Sequence, residues 1–266
     1  MTRIIRTLTL DEIGVLLDWA AAEGWNPGLG DALTFHAIDP AGFIGAFVDE
    51  VMVAGIAAVA YDRQFGFIGL YICHPRRRGQ GHGRAVWDAG MAHLAERTVG
   101  LDGVPEQQAN YRSMGFREAY QTVRMSGVLP PAKLKRTAEF REIANYDRNC
   151  FPAERSDFLK GCTRLPNLCA GAWRDEVLRG YAVLRPCREG HKLGPLFADE
   201  TAVALELVAG MEGVVQLDVP DYQASFMRAL EEQGFVPGFT TTRMYRGPAP
   251  EVERNKVFGI TSLELG

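Results

Sequence analysis

No apolar run in the 266 residues approaches the roughly 20 needed to cross a bilayer, and the Met1 end lacks an apolar leader. Charge of one sign is also in short supply. With 29 Lys and Arg against 33 Asp and Glu, the net charge of -4 gives no general attraction to nucleic acid or to an anionic membrane. Neither partner is expected. Cysteine is sparse and odd in number (Cys73, Cys150, Cys162, Cys169 and Cys187), without the paired spacing of a metal site, so reduced thiols, no bound metal and a cytoplasmic location are expected. What remains is the composition of a globular protein. At 47% hydrophobic and 23% charged, the chain has length for one large domain or two of ordinary size.

The two ends of the chain echo each other. Leu101-Asp102-Gly103-Val104-Pro105 leads to Gly115-Phe116 and then to Arg124-Met125-Ser126-Gly127. Roughly 120 residues later, Leu217-Asp218-Val219-Pro220 leads to Gly234-Phe235 and Arg243-Met244-Tyr245-Arg246-Gly247, a spacing that suits a duplicated domain. Between them, Val128-Leu129-Pro130-Pro131-Ala132 removes backbone donors and disfavours helix, which sets the expected boundary: one domain over 1–129 and a second over 130–266.

In the first half, periodicity predicts a strand at 4–8 and a helix at 11–22 with Thr9 as a cap and Ile13, Leu16, Leu17 and Ala20 facing inward. A short helix at 32–38 precedes β-rich runs at 43–49, 51–61 and 65–73. A loop at 75–83, a helix at 84–96, a strand at 99–102, a helix at 106–114 and a closing strand at 118–125 complete it. This is a mixed α/β layer structure.

The loop Arg78-Gly79-Gln80-Gly81-His82-Gly83-Arg84 carries the chemical signal. A diphosphate needs several donors converging from one side. A glycine-rich turn opening a helix supplies them, because its N–H groups are uncovered and the helix N-terminus carries partial positive charge. Arg78 and Arg84 can add charge-assisted bonds. Competing phosphate motifs fail on spacing: a dinucleotide fingerprint wants glycine at 84, which is arginine, and no Gly-Lys-Ser/Thr ending exists. A tight turn with solvated arginines, or a basic stripe for nucleic acid, are the other readings of the same residues.

The run Leu70-Tyr71-Ile72-Cys73-His74-Pro75-Arg76-Arg77-Arg78-Gly79-Gln80-Gly81-His82-Gly83-Arg84 resembles the Gln/Arg-x-x-Gly-x-Gly/Ala signature of the GNAT superfamily of acetyltransferases, matched at Arg78, Gly81 and Gly83. A second element of that family, Tyr-x-x-x-Gly-Phe, is matched by Tyr111, Gly115 and Phe116. Glu23-Gly24-Trp25-Asn26-Pro27-Gly28, Leu101-Asp102-Gly103-Val104 and the ending Phe258-Gly259-Ile260-Thr261-Ser262-Leu263-Glu264-Leu265-Gly266 look like a bacterial tandem-GNAT subfamily. The resemblance implies two tandem GNAT-like domains, each a mixed, mostly antiparallel twisted sheet flanked by helices. It also implies acetyl-CoA as cosubstrate, held by Arg78 to Arg84 and by the strand backbone of Tyr71, Ile72 and Cys73. Its acceptor is a primary amine of a small molecule, amino acid or peptide, and the other reading is a non-catalytic sensor that binds acyl-CoA or a metabolite.

The same resemblance makes Tyr111 the general acid for the departing thiolate, and Cys73 a strand residue that offers backbone only. The base stays open among Asp102, Asp31, His36, Glu106 and water. Trp25 and Asn26 are expected to help form the acceptor pocket, since an aromatic beside a turn gives an amine an apolar wall and a cation–π face. In the second half, Ala198-Asp199-Glu200 stands where a phosphate loop would be, and its two carboxylates repel a diphosphate. Leu230 takes the place of Tyr111 when Gly234-Phe235 is laid over Gly115-Phe116. That copy is expected to have lost its cofactor site. It is left to wall the cleft or form a homodimer surface, with Asp147, Phe151 and Arg155 as contributors, or as interdomain packing.

Overall fold

In the computed structural model, Thr9 forms a capping box: its hydroxyl accepts from the Glu12 N–H at 3.3 Å, and its own N–H donates to the Glu12 carboxylate at 2.8 Å. The helix it opens buries Ile13, Leu16, Leu17 and Ala20, as their spacing predicts. The structure describes residues 2–132 and 137–266. The first half runs β1 (Arg3–Thr7), α1 (Leu10–Ala22), α2 (Asp31–His36), β2 (Phe43–Val48), β3 (Val51–Ala60), β4 (Phe65–Cys73), α3 (His82–Leu94), β5 (Thr98–Gly103), α4 (Pro105–Ser113) and β6 (Arg117–Leu129). The second adds α5 (Phe140–Cys150), α6 (Ser156–Cys162), β7 (Leu168–Arg174), β8 (Val177–Pro186), β9 (His191–Ala198), α7 (Thr201–Val208), β10 (Gly213–Pro220), α8 (Ala224–Glu232), β11 (Val236–Arg246) and β12 (Val257–Gly259).

One sheet joins both halves in the order β1-β2-β3-β4-β5-β11-β6-β10-β9-β8-β7, with β12 attached to β9. Neighbours are antiparallel except for the parallel pairs β4–β5 and β9–β10. Those two pairs occupy equivalent places in the two halves, so the sheet reads nearly the same from either end of its centre.

The closing strands are exchanged across that centre. β11, which ends the second half, pairs with β5 of the first, while β6, which ends the first half, pairs with β10 of the second. Two buried ion pairs fix the exchange at matching positions. Arg243 of β11 grips Asp102 of β5 at 2.9 and 2.8 Å, and Arg124 of β6 grips Asp218 of β10 at 2.8 and 3.0 Å. Both are two-pronged guanidinium–carboxylate contacts. The Leu-Asp and Arg-Met echoes in the sequence are therefore the two halves of one crossed contact. Each half does not close its own sheet, which the reading of 118–125 as a closing strand had implied.

A central core lies between the helices of both halves. Leu16, Phe35, Leu70 and Ile72 of the first half pack with Ile143, Phe158 and Tyr181 of the second, and with Ile260 and Leu265 beyond β12. A separate core under α3 contains Ile56, Val86, Trp87, Tyr111 and Phe116. The strand β4 separates them: Leu70 and Ile72 face the first core, Tyr71 and Cys73 the second. No helix among the described residues is long and apolar enough to cross a membrane.

Candidate active site

β4 and β5 pair in parallel only from Phe65↔Thr98 to Ile68↔Leu101. There they part. The cause lies in β4, where the register with β3 jumps between Gly55↔Ile72 and Ala57↔Gly69 and Leu70 adopts φ +47°, a left-handed backbone that a branched side chain rarely takes. This bulge bends β4 and leaves the β5-facing backbone beyond Ile68 without a strand neighbour. A cleft of about 500 Å³ opens between the strands. Its walls include Ile68 to Cys73 of β4, Leu101 and Asp102 of β5, and Glu106, Gln107, Asn110 and Tyr111 of α4.

Cys73 leads into the glycine loop. Gly79 and Gly81 hold φ +76° and +77°. A Cβ on Gly79 would meet nothing within 4 Å, and one on Gly81 would meet only Arg3 Nη1 at 3.8 Å. Backbone conformation therefore demands glycine here, while the outer side of the turn stays open. The helix α3 starts at His82, two residues earlier than its apolar period suggests, with Gly81 as its cap and no side chain capping it. Its first recorded bond runs from Ala85 N–H to the Gly81 carbonyl at 3.2 Å. The N–H groups of His82, Gly83 and Arg84 precede that bond, as the first turn of a helix requires. The donor set fits a diphosphate.

The arginines stand differently. Arg78 donates from Nε to the Cys73 carbonyl at 3.1 Å and from Nη2 to Glu23 at 2.5 Å, which ties the loop to the end of α1. Arg84 pairs with Asp88 at 2.7 Å, exposed on the helix surface. Gln80 is exposed, and its amide reaches the Arg76 carbonyl at 3.5 Å. His82 is buried with Nδ1 unpartnered among the described residues, and burial lowers its pKa, which favours the neutral ring.

Tyr111 lines the cleft and is buried, its ring stacked on Trp87 with centroids 5.6 Å apart and set edge-on to Phe116. Burial raises its pKa, and the nearby Tyr71 phenol adds to that, so Tyr111 keeps its proton. Tyr71 in turn packs on Trp87, with its hydroxyl against Gly83: a Cβ there would come within 3.0 Å. Cys73 donates its thiol to the Val53 carbonyl at 3.5 Å, and burial pushes its pKa up. A protonated, engaged thiol is a poor nucleophile.

Two sequence expectations need correction. Asn26 does not face the cleft: it is buried, its amide donates to the Glu189 carbonyl at 2.9 Å and to Gln216 at 3.2 Å, and it ties the first half to the second. A turn at φ +52° swings it away from Trp25, which does line the cleft. Asp102 lines the cleft but is no free base, because Arg243 holds both its oxygens. Burial raises its pKa and Arg243 opposes that rise. Asp31 is likewise taken, by Arg185 at 2.6 Å and the Gly28 N–H at 2.8 Å. His36 is absent from the cleft wall, while Glu106 is part of it. Asp147 and Arg155 pair in the interior of the second half, and Phe151 packs on Tyr61 and Phe65 of the first.

Sequence reasoning missed Glu23, Phe239, Thr241 and Leu263, all of which line the cleft. The last three come from the second half: Phe239 and Thr241 arrive on the exchanged β11, and Leu263 on the segment that follows β12. The equivalent wedge of that half is filled. β9 and β10 pair in parallel at Val215↔His191 and Gln216↔Lys192, and the wedge beyond is occupied by β12, which pairs with β9 and then bonds to β10 through Ile260 N–H and the Asp218 carbonyl at 3.0 Å. Leu230 is fully buried, and the turn before α7 has no glycine.

The splayed parallel pair, the bulge and the uncapped glycine turn belong together. The GNAT acetyltransferase family model matches residues 10–117, and a GNAT acetyltransferase domain model matches residues 143–259. The chain belongs to this family, as a tandem of two such domains, and is an acyltransferase. It is 34% identical over 280 aligned residues to the holothin acyltransferase of Pseudoalteromonas sp. (strain SANK 73390), covering 97% of this chain and 92% of that one. The fold is similar to that of a candidate acetyltransferase from Pyrococcus horikoshii, with a TM-score of 0.82 at 20% identity over 99% and 96% of the two chains. It is also similar to a tandem GNAT protein from the clavulanic acid biosynthesis pathway, with a TM-score of 0.64 at 14% identity over 93% and 100%.

Proposed function

We propose that the chain is an N-acetyltransferase that uses acetyl-CoA and a primary amine, with one active cleft in the first half. The observation that carries this reading is the parting of β4 from β5 beside a glycine turn whose helix lacks any side-chain cap. Backbone N–H groups from Gly79 to Arg84 hold the diphosphate, and the β5-facing backbone groups along Tyr71, Ile72 and Cys73 that β3 and Arg78 leave unpaired meet the pantetheine arm. A donor from that strand aimed at the thioester carbonyl stabilises the negative charge that develops there, an effect of about 3 kcal/mol per donor in comparable sites.

The amine nitrogen forms a bond to the thioester carbon, the carbon–sulfur bond breaks, and the thiolate leaves with its electron pair. Tyr111, kept protonated by burial, supplies the proton to sulfur. The proton from the amine passes to water or to Glu106 at the cleft wall. No covalent enzyme intermediate is needed once both reactants are held together. Trp25 and Phe239 offer the acceptor an aromatic wall. The relative that acts on holothin makes holothin the first acceptor to try. The five free thiols fit a reducing cytoplasm, and we set the boundary between the two units at 129/130.

The test is turnover. The purified chain is mixed with acetyl-CoA and a panel of primary amines that includes holothin, and thiol release and acetylated product are followed. Amine-dependent release supports the reading. Tight acetyl-CoA binding with no transfer to any amine would instead favour a sensor.

A further inference from the structure

The last residues of the chain cross from the second half to the cleft of the first. After β12 leaves the wedge beside β9, the segment 260–266 is held at almost every step. Thr261 accepts from Arg155 at its hydroxyl, 2.8 Å, and from Arg185 at its carbonyl, 3.0 Å. The N–H groups of Leu265 and Gly266 bond back to Ser262, and Tyr61 donates to the Leu265 carbonyl at 2.9 Å. The Glu264 carbonyl lies so close to the bulge that a Cβ on Gly69 would stand 1.9 Å from it. The segment is therefore seated backbone to backbone against β4, at the point where β4 turns away from β5.

Within 257–266 every residue is buried except Leu263, and Leu263 lines the cleft. It packs on the α1 side of β4, in the same core as Trp25, Leu70 and Ile72. Tyr71, Cys73, Trp87 and Tyr111, next to the glycine loop, lie on the opposite side. The two sides of the cleft are thus chemically different. One holds the glycine turn and the phenols, and the other carries Trp25 and Leu263; Phe239 lines the same cleft, and Glu23 bonds to Arg78 of the turn.

We infer that Leu263 is a specificity-determining residue which sets the size of the apolar body an acceptor amine can carry. The inference rests on the transferase reading above. The substrate class it selects is a primary amine with an aliphatic or aromatic body, packed against Leu263 and Trp25 with its nitrogen toward β4. The tethers on either side explain why one side chain can do this. Thr261, Ser262 and Leu265 fix the backbone, so Leu263 can change size while the segment stays in place.

The experiment uses the full chain, acetyl-CoA and a graded series of primary amines from methylamine to naphthylmethylamine, with kcat/KM measured for each by thiol release. Leu263→Ala should shift the ratio of large to small amines upward by about tenfold, the discrimination a few methylenes give in an apolar pocket. Leu263→Trp should shift it downward by a similar factor. The Kd for acetyl-CoA should stay within about twofold in both, and each variant's thermal melt reports on its fold. Opposite shifts in the two variants support the inference. An unchanged ranking in both, with acetyl-CoA binding intact, overturns it while leaving the transferase reading standing. If the unaltered chain acylates neither holothin nor any amine in the series, the transferase reading falls first and takes the acceptor role with it.

Discussion

Gly81 separates the shape of the phosphate turn from its charge. It caps α3 at φ +77°, and a Cβ would meet only Arg3 Nη1 at 3.8 Å, so Gly81→Ala carries the cost of a left-handed alanine and little else, about 1 kcal/mol of stability. Gly81→Glu bears the same backbone cost and adds a carboxylate just before the uncapped first turn. One like charge about 6 Å from a phosphate, at an effective dielectric near 20, costs close to 3 kcal/mol. That is roughly a hundredfold in Kd. Calorimetric titration with acetyl-CoA at neutral pH should therefore show weak or absent binding by Gly81→Glu and much smaller losses by Gly81→Ala, while the two variants melt alike. Raising the salt concentration should narrow the gap, since an exposed charge is screened. Binding by Gly81→Glu within about threefold of the unaltered chain would refute the assignment of the loop.

Tyr111→Phe keeps the stack on Trp87 and removes only the hydroxyl, so kcat should fall by about 10²- to 10⁴-fold with acetyl-CoA affinity unchanged, and a full kcat would remove the acid role. Arg243→Met strands the Asp102 carboxylate in the interior and should cost about 3–5 kcal/mol by urea unfolding; a loss under about 1 kcal/mol would show that the pair does not secure the strand exchange. Burial raises the phenols of Tyr61, Tyr111, Tyr120 and Tyr181. An unfolded tyrosine ionises near pH 10, so their contribution is complete below that value and drains as pH climbs toward the folded pKa values. Ultraviolet titration with base should show these tyrosines ionising together with loss of structure, and ionisation in a still-folded chain would contradict the burial.

The sequence carried the local features of this site because each is written in neighbouring residues. Gly79 and Gly81 need positive φ whatever the rest of the chain does, and Thr9 finds Glu12 three residues on. Tyr111 was found through its fixed distance from Gly115-Phe116. Pairing was another matter. The sequence reads 118–125 as a strand but does not say which neighbours it takes, and the register energies of β6 against β5 or β10 are not local quantities. Asp102 therefore stayed among the candidate bases, with an ion pair as its other reading, until Arg243, 141 positions away, was found beside it. Asn26 was misplaced for a related reason: one residue at φ +52° decides whether a side chain enters the cleft or leaves it. Leu263 gave no local signal at all. Its role comes from where Thr261 and Glu264 are anchored.

The crossing of β6 and β11 has a consequence for how the molecule is made. A nascent chain that has reached Leu129 holds β5 with one edge bare, since the strand that covers it, Val236–Arg246, is still to be synthesised. The sister strand β6 carries the same Arg-Met pair, and its Arg124 has the chemistry to meet Asp102 as Arg243 does. Pairing with the nearer sister is the characteristic misassembly of such a tandem. The correct arrangement forms only once Val236–Arg246 has been made, so the half that is synthesised earlier waits on the later one for its final strand.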